Sequence, residues 1–320
     1  MGMALALTAT KAEAHGSCPD GMWASRGSCC ELGSEYVASK NQCMPVRPER
    51  RCVEGHLDDC VVAGRQLETR GSIGAGYAAE LYKYACDEGH APACRGLGRL
   101  TERGEGIERN EARGRELYEQ ACEGGDAPAC TVLAEKMMGE ESKQRALSLF
   151  AQACHRGDPV ACGEYGVQLA RRPEQIKQSG LYFERACVGG VGSACRALLE
   201  RERESRSIEP ARVRELLDRG CRASDADSCV QLGDAFHGGI LLPQSSAQAA
   251  LRYRSACDVG SASGCLRLAE LTAAGDGVTR DLGRASELYT RVCQAGVHMA
   301  CERATAVGAE AVREGAVSAQ

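Results

Sequence analysis

Residues 262–297 read ASGCLRLAELTAAGDGVTRDLGRASELYTRVCQAGV, two helical segments around a glycine turn. Its first half starts at Cys265 and runs through Leu266, Leu268, Ala269 and Leu271, a helical pattern. A Gly-x-Gly turn at Gly275 and Gly277 then interrupts it. Glycine suits such a turn because it adopts positive φ without a steric penalty. The second half carries Ala285, Leu288, Tyr289 and Val292, spaced to share one apolar face of a second helix. That helix ends at Cys293, and Gly296 follows as a natural terminator. Residues 91–126, APACRGLGRLTERGEGIERNEARGRELYEQACEGGD, repeat the same plan with Gly104 and Gly106 in the turn.

Sixteen cysteines fall into eight pairs with seven residues inside each. The pairs are Cys52 with Cys60, Cys86 with Cys94, Cys122 with Cys130, Cys154 with Cys162, Cys187 with Cys195, Cys221 with Cys229, Cys257 with Cys265, and Cys293 with Cys301. Steps between pairs are 34, 36, 32, 33, 34, 36 and 36 residues. A period of this size marks a solenoid of stacked supersecondary units. Zinc sites favour tighter Cys spacing, and the six histidines do not recur with the repeat. Redox-active thiols would be one or two sites, not eight copies. Structural disulfides in an oxidising compartment fit the even count and regular spacing. Each bridge would join the end of one helix to the start of the next. Closing so short a loop is worth about 2.5 kcal/mol in the chain-entropy picture. The glycines after the first Cys of each pair, Gly89, Gly124, Gly157, Gly189, Gly260 and Gly296, are read as the residues that end each helix.

The chain has 320 residues, 43% hydrophobic and 26% charged, and a net charge of −5. Nothing in that balance suggests nucleic acid, and no apolar run reaches the ~18 residues of a membrane span. Aromatics are 4%, and many inward positions are Ala or Gly, so each repeat has a thin core. The aromatic series Tyr82, Tyr118, Tyr182, Tyr253 and Tyr289, with Phe150 at the same place, reads as packing between helices.

The repeat resembles the Sel-one-like repeat (SLR) family, a relative of the tetratricopeptide repeat. The residues that carry the resemblance are Leu97-Gly98, Gly104, Gly106, Ile107, Ala112, Leu117-Tyr118 and Ala121, and again Gly275, Gly277, Val278, Asp281, Ala285 and Leu288-Tyr289. The paired cysteines resemble the disulfide-bridged branch typified by the Helicobacter cysteine-rich proteins. The resemblance implies an all-α fold, a right-handed α/α superhelix of about seven helix-turn-helix repeats with a concave binding face. It covers residues 52–305 and is uneven. Residues 127–158 lose the Gly-x-Gly turn, and residues 192–225 replace it with Glu200-Arg201-Glu202-Arg203-Glu204, read as a longer solvated helix.

The ends differ. Residues 1–14 read as a truncated signal peptide, with Ala12-Glu13-Ala14 as an Ala-x-Ala type cleavage site. Residues 15–50 form a Cys-rich module or cap holding Cys18, Cys29, Cys30 and Cys43. Four cysteines allow three connectivities, and adjacent Cys29 and Cys30 are expected to pair outward, with Cys18 or Cys43. Lipidation of Cys18 would tether the chain, although His15-Gly16-Ser17 is a poor lipobox. Residues 306–320 are expected to be a capping helix and tail.

No Ser-x-x-Lys, Gly-x4-Gly-Lys-Ser/Thr, His-Glu-x-x-His or Gly-x-Ser-x-Gly motif occurs. The sequence therefore points to a non-enzymatic, exported scaffold, secreted or periplasmic, without cofactor or catalytic metal. Its expected partner is a protein or peptide held on the concave face. The family resemblance also raises penicillin binding or weak β-lactamase activity as an alternative.

Overall fold

The computed structural model describes residues 51–52, 54–138, 142–204, 208–239 and 242–318, and the backbone of five short strands between residues 10 and 45. The chain divides into two compact units, residues 1–133 and 134–320. The first holds α1 (Leu57–Glu68), α2 (Gly71–Asp87), α3 (Ala91–Arg103) and α4 (Glu111–Glu123); α5 (Ala127–Met137) runs across the division. The second holds α6 (Lys143–His155), α7 (Pro159–Ala170), α8 (Ile176–Val188), α9 (Gly192–Glu204) and α10 (Pro210–Arg222). It continues with α11 (Ala226–Gly238), α12 (Ser246–Asp258), α13 (Ala262–Ala274), α14 (Leu282–Gln294) and α15 (His298–Ser318). Odd-numbered helices open each repeat and even-numbered helices close it. Within each unit, helices adjacent in sequence pack together, as an all-α solenoid requires.

The sequence dictates these helices locally. Side chains of Asn110, Asp158, Asp225, Ser245, Ser261 and Asp281 accept the free backbone N–H groups at helix starts. Gly104, Gly239 and Gly275 close α3, α11 and α13 in the left-handed conformation. Small residues let the rings in. A Cβ on Gly64 would lie 2.3 Å from the Tyr82 ring, and one on Gly233 would lie 2.5 Å from the Tyr253 ring.

All eight pairs read from the spacing are disulfides. In the first unit they are Cys52–Cys60, Cys86–Cys94 and Cys122–Cys130. In the second they are Cys154–Cys162, Cys187–Cys195, Cys221–Cys229, Cys257–Cys265 and Cys293–Cys301. From Cys86–Cys94 onward, each joins the end of a closing helix to the start of the next opening helix, with Cα atoms 4.5–4.8 Å apart. The third residue after the first Cys takes positive φ in every one of these turns: Gly55, Gly89, Gly125, Gly157, Gly190, Ser224, Gly260 and Gly296. Two glycines expected there are not the ones used. Gly124 has φ −70° and Gly189 has φ −75°. Their lack of a side chain serves close packing instead, against Ala91 and Pro159. Ser224, at φ 62°, is the non-glycine member. A left-handed L-residue costs about 1–2 kcal/mol, so Ser224→Gly should raise stability by about 1 kcal/mol in chemical denaturation.

Helix α9 carries the charged run through Glu204, where the described segment ends. One further expectation changes. The ring at the repeat position in α8 is Phe183, 3% exposed, not Tyr182. Tyr182 sits one residue along and meets Tyr165 edge-on, with centroids 4.8 Å apart.

The all-α description applies to the solenoid. Residues 10–45 add β1 (Thr10–Lys11), β2 (Met22–Ser25) and β3 (Ser28–Glu31) in a sheet ordered β1-β3-β2, and a hairpin of β4 (Ser34–Val37) and β5 (Gln42–Pro45). The cleavage site and Cys18 lie outside the described residues, as do the side chains of Cys29, Cys30 and Cys43.

Candidate interaction surface

The bridges themselves offer no surface chemistry. Fourteen of the sixteen cysteines are buried, among them Cys94, Cys130, Cys162, Cys195 and Cys229 at the starts of opening helices. Cys293 and Cys301 are half-buried. Among the described residues no group of three His, Cys, Asp or Glu is placed to hold a metal ion. No described helix is long and apolar enough to cross a membrane.

Side chains on the opening helices are organised differently. Four residues before the first Cys of a pair, each closing helix buries a large side chain: Tyr82, Tyr118, Phe150, Phe183, Leu217, Tyr253 and Tyr289, none more than 4% exposed. Where the ring is tyrosine, its hydroxyl needs a partner. Tyr82 donates to Glu68 at 2.6 Å, Tyr118 to Glu102 at 3.2 Å and Tyr253 to Asp234 at 2.7 Å. These acids sit on the preceding opening helix. An arginine from the following opening helix answers Glu68 and Asp234, and the same arrangement recurs at Glu270. Arg99 of α3 pairs with Glu68 of α1. Arg267 of α13 lies 3.7 Å from Asp234 of α11, and Arg303 of α15 lies 2.6 Å from Glu270 of α13. Arg267 is also 3.5 Å from Glu270, so α11, α13 and α15 are joined by one continuous line of charges. A second set ties two opening helices to the next cap: Arg95 of α3 to Asp126, and Arg196 of α9 to Asp225.

Burial and nearby carboxylates together push the Tyr118 hydroxyl up to about 12 and raise Tyr82 and Tyr253 well above the ordinary phenol range. Burial also raises Tyr289. Between the unfolded value near 10 and the folded values, the unfolded state binds fewer protons than the native state. Stability contributed by these hydroxyls is therefore complete below pH 10 and falls as pH climbs toward 12 and beyond. Thermal melts across that range should show the fall, and Tyr82→Phe should lessen it while costing about 1 kcal/mol at neutral pH.

Some charged residues pair locally, as Arg109 does with Glu111. The inter-repeat pairs are invisible to local spacing because partners such as Arg99 and Glu68, or Arg303 and Glu270, lie 31 and 33 residues apart. That separation is about one repeat, so the period that revealed the cysteines also encodes these pairs. His90 caps α3 and contacts Asp58 at 2.9 Å, while His155 ends α6 and His298 opens α15.

Apolar side chains remain uncovered on this framework. Ile73 and Tyr77 of α2 are 77% and 59% exposed and line a cavity of about 510 Å³ with Leu97, Gly106 and Ile107. In the second unit Leu181 and Val188 are 68% and 64% exposed.

Comparison with known proteins places the architecture. The Sel1 repeat matches residues 91–126, 127–158, 226–261 and 262–297. Among solved structures, the chain is similar to c5321, a protective antigen of uropathogenic Escherichia coli strains displaying an SLR fold. That similarity has 17% identity and a TM-score of 0.61 over 82% of this chain, which spans 59% of the length of that antigen. A Sel1 repeat protein from Oxalobacter formigenes gives 18% identity and a TM-score of 0.47, covering 81% of this chain and 90% of that one. Helicobacter pylori cysteine rich protein B gives 24% identity and a TM-score of 0.34, covering 42% of this chain and 98% of that one. No curated protein matches the chain. Sel1 repeats thus occupy residues 91–158 and 226–297, and the chain shares the SLR fold of that antigen.

Proposed function

We propose that this chain is a non-enzymatic scaffold, working in an oxidising extracytoplasmic compartment, that holds a protein or peptide on a concave face of its helical repeats. Sel1 repeats are protein-interaction modules. The supporting observation is the combination of rigid, bridge-locked helices with large apolar side chains left uncovered, Ile73 and Tyr77 above all. Exposed apolar groups on a pre-ordered frame bind with little further loss of conformational entropy. Sixteen buried or half-buried cysteines, all bridged, suit export. Penicillin binding finds no support in the fold or in the relatives.

The test is cross-linking in extracts of the producing cells, followed by the same experiment with Arg99→Glu and Arg303→Glu. A specific partner that the native chain retains and the double variant loses is the expected result. A native chain that retains nothing from envelope or secreted fractions would sink the proposal. So would hydrolysis of a chromogenic cephalosporin well above that of an inert protein, which would require an enzymatic role instead.

A further inference from the structure

The line of charges is interrupted in the second unit. Two residues after the second Cys of a pair, α13 carries Arg267 and α15 carries Arg303, whereas α7 carries Glu164. Five residues after that Cys, α3 carries Arg99, whereas α7 carries Val167. Val160, Gly163, Glu164 and Val167 follow the spacing of a single helix face. Val160 is 46% and Val167 is 38% exposed. With Ala194 and Ala197 of α9 they line a groove of about 100 Å³, room for one aliphatic side chain.

Acids flank this groove without an answering arginine. Glu164 lines it directly. Glu135 of α5 lies close enough to Glu164, and to Asp158, that their charges add to its burial in raising its carboxyl above the usual range, against the opposing pull of Lys136. Neither Glu135 nor Glu164 makes a hydrogen bond or salt bridge among the described residues. At the acids that match Glu135, five residues after the second Cys of a pair, a guanidinium from the next repeat is in place, as in Asp234–Arg267 and Glu270–Arg303. Nearby arginines are committed: Arg196 to Asp225 and Asp227, and Arg212 to Glu184, Glu202 and Glu215.

We infer that this groove docks a peptide segment of the partner that presents a branched aliphatic side chain beside an arginine or lysine. The aliphatic group enters between Val160, Val167 and Ala197. The cation meets Glu164 and Glu135, doing for them what Arg99 does for Glu68. A purely acidic segment is repelled, and a purely basic one lacks the apolar anchor. The inference rests on the scaffold reading and gives it a site and a partner chemistry.

The experiment uses the full oxidised chain and a fluorescein-labelled peptide of alternating leucine and arginine, read by anisotropy. Two control peptides replace leucine by alanine or arginine by glutamate. We expect the leucine–arginine peptide to bind at least about tenfold more tightly than either control, with an affinity that falls as salt rises. Val167→Arg places the guanidinium within the chain and should abolish this preference. Glu164→Gln should weaken binding several-fold, and Glu123→Gln, an equal charge change on the other unit, should not. Equal binding of the alanine–arginine peptide, undiminished binding to Val167→Arg, or no binding at all would overturn the site. The scaffold reading is tested separately: a cross-linked partner that Val167→Arg still retains removes this groove and leaves the scaffold standing.

Discussion

Replacing Cys257 and Cys265 together by alanine should lower the unfolding free energy by about 2.5 kcal/mol, measured by denaturant titration of helicity. The bridge closes a separation of eight residues between α12 and α13, and its two cysteines are 1% and 4% exposed. Most of the effect comes from the unfolded chain, which gains freedom once the turn is no longer tied. The single variant Cys257→Ala should be worse than the pair, because it leaves Cys265 as a buried free thiol able to exchange with neighbouring bridges. In a solenoid each repeat depends chiefly on its neighbours, so the loss should be concentrated around the seventh and eighth bridges. Hydrogen exchange should report it there, in α12 to α14, with α3 and α4 little changed. A uniform loss of protection across both units would contradict this local picture.

The second large effect is at the turn glycines. Gly106→Ala should cost about 3 kcal/mol or more, and Gly104→Ala only about 1 kcal/mol, although the two are separated by one residue. Both have positive φ, 70° at Gly104 and 73° at Gly106. The difference lies in what a Cβ meets. At Gly104 it approaches the Arg109 side chain at 2.9 Å, which can give way. At Gly106 it would lie 2.2 Å from the backbone nitrogen of Gly76 and 2.5 Å from the carbonyl carbon of Ala75, both inside α2. A helix backbone cannot shift without losing its own hydrogen bonds. Gly277 repeats the arrangement, 2.2 Å from Ser246 and 2.3 Å from Ala247 in α12, so Gly277→Ala should behave like Gly106→Ala. The second glycine of each Gly-x-Gly turn thus joins one repeat to the preceding one. Equal losses at Gly104 and Gly106 would contradict this assignment.

The cysteine period and the helix pairs could be read from the sequence because they are local. A Cys eight residues from its partner, a glycine past a helix and an apolar stripe within one helix all act over a few residues. Choices settled by contact between repeats were harder to read. Gly124 and Gly125 look alike in sequence, yet Gly125 bends the chain while Gly124 makes room for Ala91. Tyr182 and Phe183 are neighbours, and the repeat position, counted back from Cys187, picks the phenylalanine. The charge lines from Glu68 to Arg99 and from Asp234 to Arg303 required helices of successive repeats to be set side by side. So did the groove at Val160 and Val167, since valines on a helix face normally mean core, and only their exposure marks them as a surface. The ligand itself was not legible, because Sel1 repeats share a frame and differ in the residues mounted on it.

The proposed scaffold requires that bridges formed outside the reducing cytoplasm hold its frame in shape. The check is alkylation of the protein purified from its producing cells, followed by intact mass with and without reductant. Without reductant, none of the sixteen paired cysteines should label, and after reduction and unfolding all twenty cysteines of the chain should. A folded, helical protein whose paired cysteines label freely before reduction would contradict the clamps, the compartment and the pre-ordered frame together.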